Sequence, residues 1–169
     1  TVTFNGTVTD TGLTRYVGPT GDVQDYGAGM DYFGLEINEA LSVFTLTAAL
    51  ELGGDLNIAA GQLDAAGFQM NVAGNWTNGG TFTHGSNTVV FDGGAALLDS
   101  GGTTASQHRF FNLAVNKPGA SLTLSNNDLH IEGDLTVTDG TFDADNLRIV
   151  FDGTSWDVQT STTATALFV

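Results

Sequence analysis

The side chains that could do chemistry are few, and their spacing is loose. Asp139, Asp143 and Asp145 crowd around Gly140, with Asp152 and Asp157 beyond them. Carboxylate oxygens carried in turns are the ligand set Ca²⁺ prefers. Asp139, Asp143 and Asp145 are therefore the candidate metal ligands, and calcium is the one cofactor the sequence admits. Neither the EF-hand pattern nor a GGxGxD repeat is present. Asp also favours turns because it bonds nearby backbone, which accounts for the same carboxylates without a metal. Asp143 and Asp145 are equally the kind of acidic pair a glycosidase employs. His84, His108 and His130 are far apart and have no cysteine partner, so they read as turn or surface residues. No G-x-S-x-G nucleophile elbow occurs. The glycine-rich run DGGAALLDSGG lacks the lysine of a phosphate loop. No catalytic or cofactor-binding residue is assigned, and the chain is not expected to be an enzyme. Tyr16, Tyr26, Tyr32 and Trp156 could stack on sugars, although Tyr32 opens a strand and belongs in the core. Thr-x-Thr pairs recur, but out of phase with any flat ladder. Asn5-Gly6-Thr7 and Asn75-Trp76-Thr77 match the glycosylation pattern by chance at least as well as by design.

The composition narrows the partners. Four Lys and Arg face 19 Asp and Glu in 169 residues, a formal net charge of −15. Arg15, Arg109, Lys117 and Arg148 are the whole basic stock. Such a chain repels nucleic acid, whose binding rests on cations at phosphates, and anionic membrane surfaces too. No apolar run is long enough for a spanning helix. With no cysteine there is neither a disulfide nor a thiolate metal site.

The elements that must carry these side chains are strands. TVTF, FNLAVN, SLTLS and LTVT alternate apolar and polar residues, separated by Gly, Asn and Asp. INEALSVFTLTAALEL is the nearest approach to a helix, but its Val-Phe-Thr-Leu-Thr centre favours strand. The chain also repeats itself. GTF at 140–142 lies 60 residues after GTF at 80–82, and GDLTVTDGTFDADNLRI (133–149) lies 79 after GDLNIAAGQLDAAGFQM (54–70). The two offsets differ by about one coil of a β-solenoid, roughly 20 residues. YFGLEIN (32–38) returns as FFNLAVN (110–116), and TVTFNG (1–6) as TVVFDG (88–93). The expected architecture is all-β: one β-solenoid domain over 1–169, made of two related modules, 1–87 and 88–169. Stacked coils cover one another's apolar rows. The expected inward stacks are Leu63 with Phe82 and Phe142, Met70 with Val89 and Ile149, and Phe91 with Phe151. Leu56, Trp76 and Leu135 should follow glycine corners, where the neighbouring Asp or Asn caps its own backbone.

GNWTNGGTFTHGSNTVVFDG followed by FFNLAVN resembles the repeats of large bacterial surface proteins, the autotransporter-passenger and filamentous-haemagglutinin-like right-handed parallel β-helices. The resemblance implies an extracellular, cell-surface location and a structural or adhesive role as stalk or filament. A carbohydrate- or surface-binding module working through the 9–31 excursion is the second reading, and a polysaccharide-active enzyme the third. The chain opens in mid-module without Met and closes where another strand should begin, so it is expected to be a processed product or part of something longer. Thr1, Val2, Phe4, Leu167, Phe168 and Val169 are then the assembly residues. The expected partner is a second copy, head to tail, or the continuing chain, with glycans as further ligands.

Overall fold

The computed structural model describes residues 12–102 and 108–167. It is an all-β parallel solenoid of about 7 turns, each about 21 residues long. Every turn visits three ladders of parallel strands in the same order. The first ladder holds Leu13–Tyr16, 34–37, 56–58, Trp76–Asn78, Ala96–Asp99, 122–124, 141–143 and Ala164–Leu167. The second holds Gly21–Val23, 43–46, 62–64 and Thr81–Thr83. It resumes with Arg109–Phe110, Leu129–Ile131 and Ile149–Phe151. The Phe82 and Phe110 rings bridge its two halves, 5.7 Å apart. The third runs from Tyr32 through Leu50–Leu52, Met70–Val72, Thr88–Phe91, 112–115 and 135–137 to Val158–Thr160.

Period-two alternation explains the core. In Leu56–Asp64 the buried residues are Leu56, Ile58 and Leu63, and in Leu135–Asp143 they are Leu135, Val137 and Phe142. Both strands bend midway at a glycine, Gly61 (φ +81°) and Gly140 (φ +80°). At each, a Cβ would collide with the carbonyl of the turn below, from Glu39 or Lys117. Only glycine fits such a corner. At the centre, Trp76 packs against Phe82 (4.9 Å), Phe110 (5.0 Å) and Phe91 (6.2 Å). The candidate helix segment is strand, within Gly34–Leu46 and Leu50–Leu52.

The stacks are half as expected. Leu63 lies beside Phe82, Met70 beside Val89, and Leu56 beside Trp76. Phe142 instead pairs with Leu122 and Ala166 in the first ladder, Ile149 with Leu129 in the second, and Leu135 with Leu113 and Val158 in the third. Phe91 and Phe151 lie in different ladders. The reason is that 78–79 residues cover three turns and two further ladders. The second half therefore repeats the first with every strand moved by one ladder. Gly34–Leu46 is matched by Asn112–Leu124, Leu50–Leu52 by Leu129–Ile131, Leu56–Asp64 by Leu135–Asp143, and Met70–Val72 by Ile149–Phe151. Leu13–Tyr16 and Thr88–Phe91 are likewise equivalent, since each pairs with the start of the matched 13-residue strands. The TVTFNG segment lies outside the described residues.

Candidate functional site

The corner carboxylates and amides bond the next turn, not their own. Asp55 Oδ1 accepts the Asn75 amide, and Asn75 Oδ1 accepts the Leu97 amide (2.7 and 2.8 Å). Asn112 and Asp134 do the same for Asp134 and Asp157 (2.9 and 2.8 Å). The Asn75 side chain of the glycosylation match is thus tied into the corner. The predicted metal ligands, by contrast, make local bonds. Asp139 Oδ1 accepts Gly140 N–H at 2.7 Å, and Asp143 Oδ1 accepts Asp145 N–H at 3.0 Å. Asp145 holds φ +46° in an exposed turn. Among the described residues, no group of three or more His, Cys, Asp or Glu is arranged to hold a metal.

The structure assembles a cluster that the linear spacing concealed. On the outer wall of the second ladder Arg109 lies beside His130, and His130 beside Val150. Arg109 Nη1 donates to Glu132 Oε1 at 2.7 Å, and its Nε lies 3.5 Å from Asp152 Oδ2. His130 Nδ1 is 2.7 Å from the same Asp152 oxygen, and His84 Nε2 is 3.4 Å from Glu132 Oε2. The Ser86 amide donates to His84 Nδ1 at 2.9 Å, which leaves the proton of the neutral ring on Nε2, facing Glu132. Two histidines, two carboxylates and an arginine thus link four consecutive turns. The signal was present: 109 and 130 differ by 21, and 132 and 152 by 20, one turn each. The third histidine, His108, is buried and bonds Asn78 Nδ2 at 3.0 Å. Burial pushes its pKa down, against the Ser100 backbone and Asp99.

The tyrosines close the other end of the core. The Tyr16 and Tyr32 hydroxyls are 2.7 Å apart, and Tyr32 donates to the Gln24 carbonyl at 2.7 Å. Tyr32 is buried, as its strand position implied, and its pKa is raised by that burial. Tyr16 and Tyr26 meet its ring edge to face. Nearby, burial pushes the Asp31 and Glu51 carboxyls above their usual range. Trp156 is the exposed aromatic of the four, at 52 %.

An apolar groove lies at the last turn. Its volume is about 560 Å³, and it is lined chiefly by Ala144, Leu147, Ile149, Phe151, Trp156 and Val158. Trp156 stacks on Phe151 at 4.5 Å and 22°. Leu167, at the end of the first ladder, is 46 % exposed. The remaining assembly residues, Thr1, Val2, Phe4, Phe168 and Val169, lie outside the described residues. No family model matches the chain, nor does any curated protein or solved structure.

Proposed function

We propose that the chain is an extracellular structural or adhesive solenoid, a segment or subunit of a cell-surface stalk or filament of the kind its repeats resemble. The observation that carries this reading is the repeated stack of about 7 parallel turns on three ladders, packed at its centre by Trp76, Phe82, Phe91 and Phe110. The three ladders add a physical reason. Each turn bonds chiefly its neighbours, so the array is stiff along its axis and tolerates lengthening. The high negative charge keeps such a rod soluble and disfavours lateral clumping.

Negative-stain electron microscopy and sedimentation of the intact chain test it. Fibres that shorten or vanish when residues 166–169 are deleted support the reading, and a monodisperse monomer at high concentration sinks it. The exposed Trp156 beside the groove favours a glycan-binding module as the second reading. Glycan-array binding lost in Trp156→Ala, without fibres, would select it.

A further inference from the structure

At the corner between the first and second ladders, a buried imidazole ties two turns together. His108 is 7 % exposed, and its Nδ1 lies 3.0 Å from Asn78 Nδ2. The Asn78 amide is held from turning round, because its Oδ1 accepts the Gly80 N–H at 3.1 Å. Asn78 therefore donates and Nδ1 accepts, which places the proton of the neutral ring on Nε2. The Ser100 backbone also bonds the ring. Gly101 (φ +103°) closes over the pair so tightly that a Cβ there would meet the Asn78 carbonyl and the His108 ring. The corner continues into the turn above. Ser100 Oγ donates to the Asp128 carbonyl at 2.8 Å, and Asn126 and Asn127 each donate to Asp99 at 2.7 Å. Among the described strands the second ladder changes sheet here. Thr81–Thr83 belongs to the larger sheet, and Arg109–Phe110 opens the 3-stranded one.

We infer that His108 is a protonation latch: neutral, it fastens Asn78 of one turn to the Ser100 corner of the next, and on acidification it releases that corner while the stack stays intact. An added proton would sit on Nδ1, facing the Asn78 amide, so two donors would meet with no acceptor between them. It would also bury a charge. The groups around the ring do not offset this. Asp99 is the charge that acts on it, and the Asp99 oxygens already accept from Gly101 N–H, Asn126 and Asn127. Asp128, on the turn above, is paired with Arg148. Arg109, next in sequence, pairs with Glu132 and Asp152 on the outer wall, and these carboxylates also meet His84 and His130. Burial pushes the His108 pKa below its ordinary value, the direction the latch requires. The closed corner excludes the proton and the open corner takes it up. Opening therefore rises as the pH falls below about 6.5, by up to about tenfold per pH unit, and levels off once the closed form protonates. Strand pairing holds the rest, with Trp76–Asn78 on Ala96–Asp99 in the first ladder and Met70–Val72 on Thr88–Phe91 in the third.

Hydrogen exchange of the full chain at pH 7.5 and 5.5, read by mass spectrometry and corrected for the intrinsic pH dependence of exchange, tests the latch. Peptides covering 76–83, 96–102 and Arg109–Phe110 should lose protection several-fold at the lower pH, while those covering Leu56–Asp64 and Met70–Val72 keep theirs. His108→Gln, whose Oε1 can accept the Asn78 amide, should stay closed at both pH values. Asn78→Asp should reverse the sign, because its carboxylate can accept from both Gly80 and a protonated His108, and so closes the corner at pH 5.5. If Asn78→Asp does not fold, the parent and His108→Gln decide. Unchanged protection at this corner in the parent, or a loss that persists in His108→Gln, overturns the latch. So does a loss of equal size in every turn, which would make His108 a source of global stability alone.

Discussion

Three backbone carbonyls converge on the Lys117 ammonium, those of Ala73, Asp92 and Gly94. The residue is fully buried, and desolvation lowers its pKa against the nearby Asp92 charge. It ties the corner after Asn116 to the third ladder of earlier turns. Lys117→Met keeps the stem but leaves those carbonyls without a donor, at a cost of about 1–3 kcal/mol for a buried group so stranded. Urea unfolding measures this, and Arg should not rescue it, because a planar fork does not fit a point of three acceptors. His108 supplies a second residue-scale prediction. Its folded pKa lies below the ordinary histidine value, so on acidification the unfolded chain takes up the proton first. Stability therefore falls as the pH drops below about 6.5 and levels off once the folded form protonates. His108→Gln should lose less melting temperature than the parent between pH 7.5 and 5.5. Asp128 and Glu36 act lower in the range. Arg148 holds Asp128 below the usual carboxylate value, Arg15 does so for Glu36, and their stabilisation fades as pH falls through the acid region. Asp31 and Glu51, raised by burial, have the opposite sign and gain on protonation. Neither the Lys117 cage nor the His108 pocket was legible in the sequence, since their partners lie 23 to 44 residues away in another turn.

At the scale of elements, the strands themselves were legible, because alternation is a local property and the core demands it. Phe82, Phe91 and Phe142 are buried as expected, and Phe→Ala at each should cost about 3–5 kcal/mol. Phe151 was expected to match them but lies half-buried at the groove, so its truncation should cost clearly less in the isolated chain. A full cost at Phe151 would mean that the last turn is covered. The corners give a sharper test. Gly140→Ala adds a side chain in a left-handed conformation, worth roughly 1–2 kcal/mol in strain alone, and drives it into the Lys117 carbonyl. Gly94, with open space around the added Cβ and no positive φ, should accept alanine with little loss. Thermal melts of the pair compare the two directly. The cross-turn ion cluster was only half legible. A turn-length spacing joins Arg109 to His130 and Glu132 to Asp152, but His84 enters from a turn whose connection to them no simple offset reveals.

At the scale of the whole molecule, sequence repetition and geometric repetition have different periods. An offset between similar segments counts residues, whereas a stack counts ladders. The 79-residue repeat is not a whole number of turns, so Phe142 and Leu63 share a sequence context without sharing a ladder. What the repeat preserves is the sequence of corners and strand lengths, which any of the three ladders can host. Seven turns at about 4.8 Å each make a rod of about 34 Å along the axis, held by contacts between adjacent turns. Stability in such an array is a sum over neighbours, and a turn with one neighbour is weaker than a turn with two. Backbone amides of Ile149–Phe151, Val158–Thr160 and Ala164–Leu167 should therefore exchange with solvent faster than those of Leu56–Asp64 and Met70–Val72, which are covered on both sides. Hydrogen exchange read by mass spectrometry on the dilute chain gives this gradient. Uniform exchange along the dilute chain would mean that the turns unfold as one unit.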